Sequence, residues 1–266
     1  MRYPIIDCHC HIYPDKIADK AVEAIGAFYN LPMCYDGRSS TMIQKSNSIG
    51  VVHNIIFSVA TTPQQVGSIN NFIAKCVEAG EGRFTGLGSL HPETENIAEE
   101  IATIKKLGLK GVKLHPDFQK FKIDDEKLYR IYELCSGELP IMLHTGDYRY
   151  DFSNPQRMAQ VLEKFPELTV IGAHFGGWSV WEEAADVLFG YENFYVDCSS
   201  SFHWLKPDKS KELIRKYGAD KVLFGTDFPM WSYEDEYEYF SNLNLNEDEN
   251  RKILFENALN LFDIKI

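Results

Sequence analysis

The amino-acid sequence predicts an α/β fold, a (β/α)8 TIM barrel with an extra C-terminal helix, on three observations. Short β-rich runs alternate eight times with longer helical patterns. The runs read as continuous apolar stretches, as parallel strands buried on both faces do. Histidine or aspartate stands at the C-terminal end of run after run, where barrel enzymes gather their chemistry. A doubly wound open sheet is the alternative, because strand count alone does not prove closure.

In chain order, residues 3–10 form the first strand: Ile5 and Ile6 lead into Asp7-Cys8-His9-Cys10-His11, and Pro14 breaks the run. The other strands are expected at 51–58, 84–89, 111–115, 140–144, 168–174, 194–198 and 222–227. Helices are expected at 15–29, 63–79, 95–107, 125–136, 155–165, 180–189, 207–217 and 233–243. Several open on proline or an acidic residue and close near glycine, as helix ends prefer. Residues 247–261 supply the extra helix, and no Ser/Gly linker interrupts the rhythm, so one domain is expected over 1–266.

Composition narrows the function classes. A net charge of −12 with no Lys/Arg-rich block argues against nucleic acid or an anionic membrane as partner and leaves a small-molecule substrate. No apolar run is long enough to span a bilayer, and Met1-Arg2 leaves no room for a leader before the first strand, so a cytoplasmic location is expected. The six cysteines include no CxxC and predict no disulfide framework. Cys8 and Cys10 alternate with the histidines and are expected to share the opposite face of the strand as small hydrophobes.

His9 and His11, two residues apart on one strand, share a face and form half of a transition-metal site. His115, His144, His174 and Asp227 end the fourth, fifth, sixth and eighth strands, and in a barrel those ends converge on one mouth. Two histidines with a third and an aspartate make a nitrogen and oxygen donor set suited to zinc, with manganese, cobalt or iron as alternatives. Asp227 has a second role open to it, as general base toward metal-bound water. His53 sits at the wrong end of its strand for catalysis and reads as structural, whereas His91 and His203 lie in loops on the active face. Lys120 and Arg149 are candidates for binding a substrate carboxylate, and Trp178 for walling a planar substrate.

Asp7-x-His9-x-His11, His144 in Leu-His-Thr-Gly, His174 in Gly-Ala-His-Phe-Gly-Gly-Trp, and Asp227 in Phe-Gly-Thr-Asp-Phe-Pro together resemble the amidohydrolase superfamily. The likeness is to its amidohydrolase-2 branch, which includes the aminocarboxymuconate-semialdehyde decarboxylase relatives. The resemblance implies a metal-bearing barrel with His9, His11, His144 and Asp227 as ligands and His174 orienting or deprotonating metal-bound water. Some two-metal members carry a carbamylated lysine at the end of strand four, a role open to Lys113. One ion with Lys113 as a charged site residue is the leading expectation, with Lys113 and His115 serving a second ion or the substrate as the alternative. The resemblance also points to a homodimer.

Hydrolysis of a small amide, lactone or ester is the leading expectation for the reaction. Nonoxidative decarboxylation of an unsaturated or aromatic carboxylic acid is the alternative, and it rests on the resemblance alone. A noncatalytic metal-binding barrel is a third class, since fold does not guarantee activity.

Overall fold

The computed structural model describes residues 3–266. Its strands are β1 (Ile5–His11), β2 (Val51–Phe57), β3 (Phe84–Gly86), β4 (Gly88–Ser89), β5 (Val112–Leu114), β6 (Ile141–Leu143), β7 (Val170–Gly172), β8 (Phe194–Asp197) and β9 (Val222–Leu223). Every pairing is parallel, in the orders β1-β2-β3 and β4 through β9. β3 and β4 are two pieces of one barrel strand: at the break between them the Leu87 N–H donates to the Ile56 carbonyl on one side, while Gly88 N–H reaches the Gly111 carbonyl on the other, each at 2.9 Å. The ring closes between β1 and the segment after β9. There Cys8 N–H donates to Phe224 O at 2.9 Å and His11 N–H to Phe228 O at 2.7 Å. Eight strand positions thus form a closed barrel rather than an open sheet.

The barrel interior is packed by Ile6, Cys8, Ile55, Phe57, Leu87, Met142, Ile171 and Leu223, with Ala258, Phe262 and Ile264 of the C-terminal segment against them. Burying each of the larger side chains stabilises the fold by about 1.5–3 kcal/mol. A larger cluster fills the layer between strands and helices. Cys10 belongs to that outer layer and Cys8 to the inner one, which corrects the expectation that both face the same way. The cause is a register shift between Asp7 and Cys10, where β1 takes one residue more than β2.

Helices Asp15–Tyr29 and Pro207–Tyr217 have the bounds that the sequence pattern predicts. The predicted 247–261 helix is interrupted, with Lys252–Glu256 wound as a π-helix, and the Ile253 carbonyl accepts the Phe224 N–H at 3.0 Å. Two helices were not foreseen. Ser39–Ser46 lacks a long apolar period, and Pro116–Gln119 is a single turn immediately after β5. Several strands are shorter than predicted because the chain turns away at the mouth: β7 stops at Gly172 and β9 at Leu223, short of His174 and Asp227. Among the described residues no helix is long and apolar enough to cross a membrane.

Candidate active site

The mouth is built on β1 and the loops that follow the other strands. His9 Nε2 lies 3.3 Å from His11 Nε2 and 3.4 Å from Asp227 Oδ1, and His11 Nε2 lies 3.7 Å from the same carboxylate oxygen. Donors held about 2.0–2.1 Å from a tetrahedral ion stand about 3.3–3.4 Å apart, so this trio fits a divalent metal. Asp227 adopts the left-handed backbone conformation, with φ of 57°, and His174 does the same at 58°. Such strain in non-glycine residues is characteristic of functional sites. Asp7 ties the two halves of the trio together by accepting the Thr226 N–H at 3.0 Å, the Thr226 hydroxyl at 2.6 Å and the His9 N–H at 3.1 Å. Gly225 is required by packing, since a Cβ there would lie 2.9 Å from His9 Cβ.

Behind the trio lies a second layer of polar groups. His9 Nδ1 sits 2.9 Å from Asp197 Oδ2, which fixes the tautomer that leaves Nε2 as a lone pair. Ser200 donates to Asp227 and accepts the Trp231 indole N–H at 2.7 Å. His174 Nδ1 lies 3.0 Å from the Ser199 carbonyl, an acceptor only, so this nitrogen carries the proton and Nε2 is the free base. That Nε2 is 3.1 Å from His144 Nδ1, and the His174 and His9 rings stack with centroids 5.0 Å apart.

On the far side of His174 the arrangement differs. His144 groups with Asp117 and Asp147, not within the His9–His11–Asp227 cluster. Its ring stacks on His115 at 4.1 Å, and His115 Nε2 lies 3.0 Å from the Tyr29 hydroxyl. His144 Nε2 and both Asp117 carboxylate oxygens are buried without a hydrogen-bond partner. Asp147 is paired by Arg149, whose Nη2 lies 2.7 Å from Oδ2. Gly146, at φ of 86°, lets the β6 and β7 loops meet, because a Cβ would come 2.5 Å from Trp178 backbone atoms.

Burial sets the protonation of the whole cluster. It holds the imidazoles of His9, His11, His115 and His144 well below their usual range and brings His174 to about 3. The result is a set of neutral rings with lone pairs available. Burial also lifts the Asp227 carboxyl above the usual carboxylate range and lowers the Lys113 ammonium below its usual range. Lys113 is fully buried, with Nζ 3.3 Å from His9 Nε2 and 5.0 Å from the centre of the Phe57 ring.

The cavity is floored by His11, His115, His144, His174 and Asp227 and roofed by Ile25, Tyr29, Phe118, Trp178 and Met230. Trp178 is therefore in place to wall a substrate. Lys120 is exposed and absent from the lining. Arg149 is also absent from it: the guanidinium is committed to Asp147 and the Phe28 carbonyl and lies 4.9–5.8 Å from the rings of Phe28, Tyr29, Tyr150 and Trp178. It fastens the end of helix Asp15–Tyr29 over the mouth. His53 bonds Thr85, His91 accepts a turn N–H from Glu93, and His203 pairs with Glu236; none of the three lines the cavity.

Sequence reading passes over Asp197, Ser199, Ser200 and Asp117. The end-of-strand rule that finds the histidines also finds Asp197, the last residue of β8. Asp117 and the serines sit one turn beyond their strands, and no spacing signals them.

The family profile described as Amidohydrolase matches residues 6–264. Gamma-resorcylate decarboxylase of Polaromonas sp. (strain JS666 / ATCC BAA-500) is 28% identical over 123 residues, 39% of this chain and 37% of that protein. The 2-amino-3-carboxymuconate-6-semialdehyde decarboxylase of Dictyostelium discoideum is 25% identical over 204 residues, 60% of this chain and 55% of that protein. The chain thus spans about half, or less, of the length of these curated relatives. Among solved structures, an uncharacterised TIM-barrel protein of Bordetella bronchiseptica superposes with a TM-score of 0.81 at 23% identity, covering 98% of each chain. A dihydroxybenzoic acid decarboxylase of Polaromonas sp. JS666, holding manganese and the inhibitor 2-nitroresorcinol, gives 0.74 at 19%, over 98% of this chain and 97% of that one. Both likenesses show the same fold.

Proposed function

Because the chain belongs to the amidohydrolase family, we propose that it is a metal-dependent, nonoxidative decarboxylase of an unsaturated or aromatic carboxylic acid. The observation that carries this reading is that the two curated relatives described above are named decarboxylases, one of gamma-resorcylate and one of a carboxymuconate semialdehyde. Hydrolysis, the leading expectation from sequence, becomes the second reading, since the core donor set serves either reaction.

His9, His11 and Asp227 would hold the ion, zinc or manganese, and His144 would complete the set by turning its unpartnered Nε2 toward it. When bound, the ion supplies Lewis acidity and an anchor for the substrate carboxylate and a neighbouring oxygen. Asp197 keeps the His9 ring in register, and Ser200 orients Asp227. His174 lines the cavity and carries its lone pair on Nε2, beside His144 Nδ1; there it would take up a proton from solvent and pass it to the carbon that loses carbon dioxide. The carbon–carbon bond breaks, its electron pair stays on that carbon, and the proton from His174 replaces the carboxylate.

The test is a pair of assays on manganese-loaded and zinc-loaded protein. Carbon dioxide release is measured from 2,6-dihydroxybenzoate and related unsaturated acids, and proton release from a panel of lactones and amides. The reading expects gas release from an acid and none of the hydrolysis. Turnover confined to lactones or amides returns the chain to the hydrolases.

A further inference from the structure

A second cavity lies beside the mouth. It has a volume of about 820 Å³ and runs between helix Asp15–Tyr29 and helix Val66–Ala79. It adjoins the active-site cavity, since His11, Ile25 and Phe118 line both. One wall carries Ile17, Ala21, Ala24 and Phe28, and the facing wall carries Ile69 and Phe72. At the outer rim stand Lys16 and Lys75, which take part in no ion pair among the described residues. The helix that forms the first wall buries only Ala18 fully, so most of its apolar face is turned to this cleft and not into the core.

Pockets of roughly 300–1,000 Å³ enclose ligands of drug size, and this one adjoins the metal-binding trio at His11. We infer that the cleft is the arm of the substrate site that receives an apolar extension, so that the substrate is an unsaturated or aromatic acid bearing an alkyl or aryl chain. This rests on the active-site reading above and deepens it. The acid group sits among the histidines, and the chain passes over His11 and between Ile25 and Phe118 into the groove. The lysine stems cover apolar surface at the outer end while their ammonium groups stay in water.

The probes are 2,4-dihydroxybenzoate and its 6-pentyl homologue, bound to manganese-loaded protein and followed by calorimetry. The pentyl chain is expected to tighten binding at least tenfold. Ala21→Trp fills the groove from one wall and Ser68→Trp from the other. Each is expected to remove that gain while leaving 2,4-dihydroxybenzoate binding within twofold. Equal affinity of the two acids for the unmodified protein would overturn the inference, as would a pentyl gain that survives both substitutions. Sedimentation of the same three proteins supplies another outcome: dissociation of a dimer by both tryptophans would make the cleft an interface between copies and sink the proposal. The readout is binding, so failure to release carbon dioxide from either acid bears on the decarboxylase reading alone, and absence of the pentyl gain bears on the cleft alone.

Discussion

His174 divides the mouth into two unlike halves. On one side His9, His11 and Asp227 stand at 3.3–3.7 Å from one another, and Asp197 and Ser200 hold two of them from behind. On the other, His144 faces Asp117 across 3.4 Å with atoms of both left unpartnered. The first half is preorganised: its donors already have the spacing of a bound ion, and the outer atoms of His9 and Asp227 are satisfied. The second half keeps buried polar atoms unsatisfied, which costs about 1–3 kcal/mol for each group, so it is the half expected to rearrange when ion and substrate bind.

The contrast breaks most visibly at the trio. His9→Ala should reduce metal content at least a hundredfold at fixed free ion, read by elemental analysis after dialysis; full retention would mean that the ion sits elsewhere. His174→Asn comes next. Turnover should fall by about 10²–10⁴, as loss of an acid–base group does, with metal content nearly unchanged, and an equal loss of metal would make His174 a ligand. Asp197→Asn should weaken metal affinity about 10–100-fold, the usual effect of removing the group behind a histidine ligand, and a metal titration would show it.

Two smaller effects sharpen the comparison. In the metal-free protein burial raises the Asp227 carboxyl above the usual carboxylate range. Any proton it carries must leave when an ion binds, whereas the neutral histidines release none. Calorimetry near neutral pH at saturating manganese, in buffers of different ionisation heat, should find more proton release per ion for the unmodified protein than for Asp227→Asn; equal release by the two would place Asp227 outside the site. Asp117→Asn should leave the melting temperature of the metal-free protein unchanged or raise it by a few degrees, since it replaces an unpartnered buried carboxylate with a neutral group of the same shape. A clear drop would mean that the carboxylate has a partner in solution.

Both halves could be read in part from the chain, since the strand-end rule names His115 and His144 as well as the trio, while Asp197 and Ser200 behind the trio escape it. His9, His11 and Asp227 are legible because strand periodicity and strand ends obey local rules, and the barrel brings such ends together. Closure was expected from eight repeats but not proved by them: it depends on contacts such as Cys8 to Phe224, far apart in sequence. The bulge in β1 escaped for the same reason, since it exists only relative to β2. Arg149 shows the limit most clearly. As a loop arginine beside aromatic residues it suggests a substrate clamp, but Asp147 two residues earlier and the Phe28 carbonyl from a distant helix claim its donors. Composition predicts the charge of such a residue, and only the packed loop decides what it touches.

The most direct measurement is an anomalous difference map from crystals of the chain grown with manganese. The account predicts a peak within about 2.0–2.3 Å of His9 Nε2, His11 Nε2 and an Asp227 carboxylate oxygen, a normal bonding range for such donors. A peak that touches none of these three atoms, or no peak at saturating manganese, would contradict it.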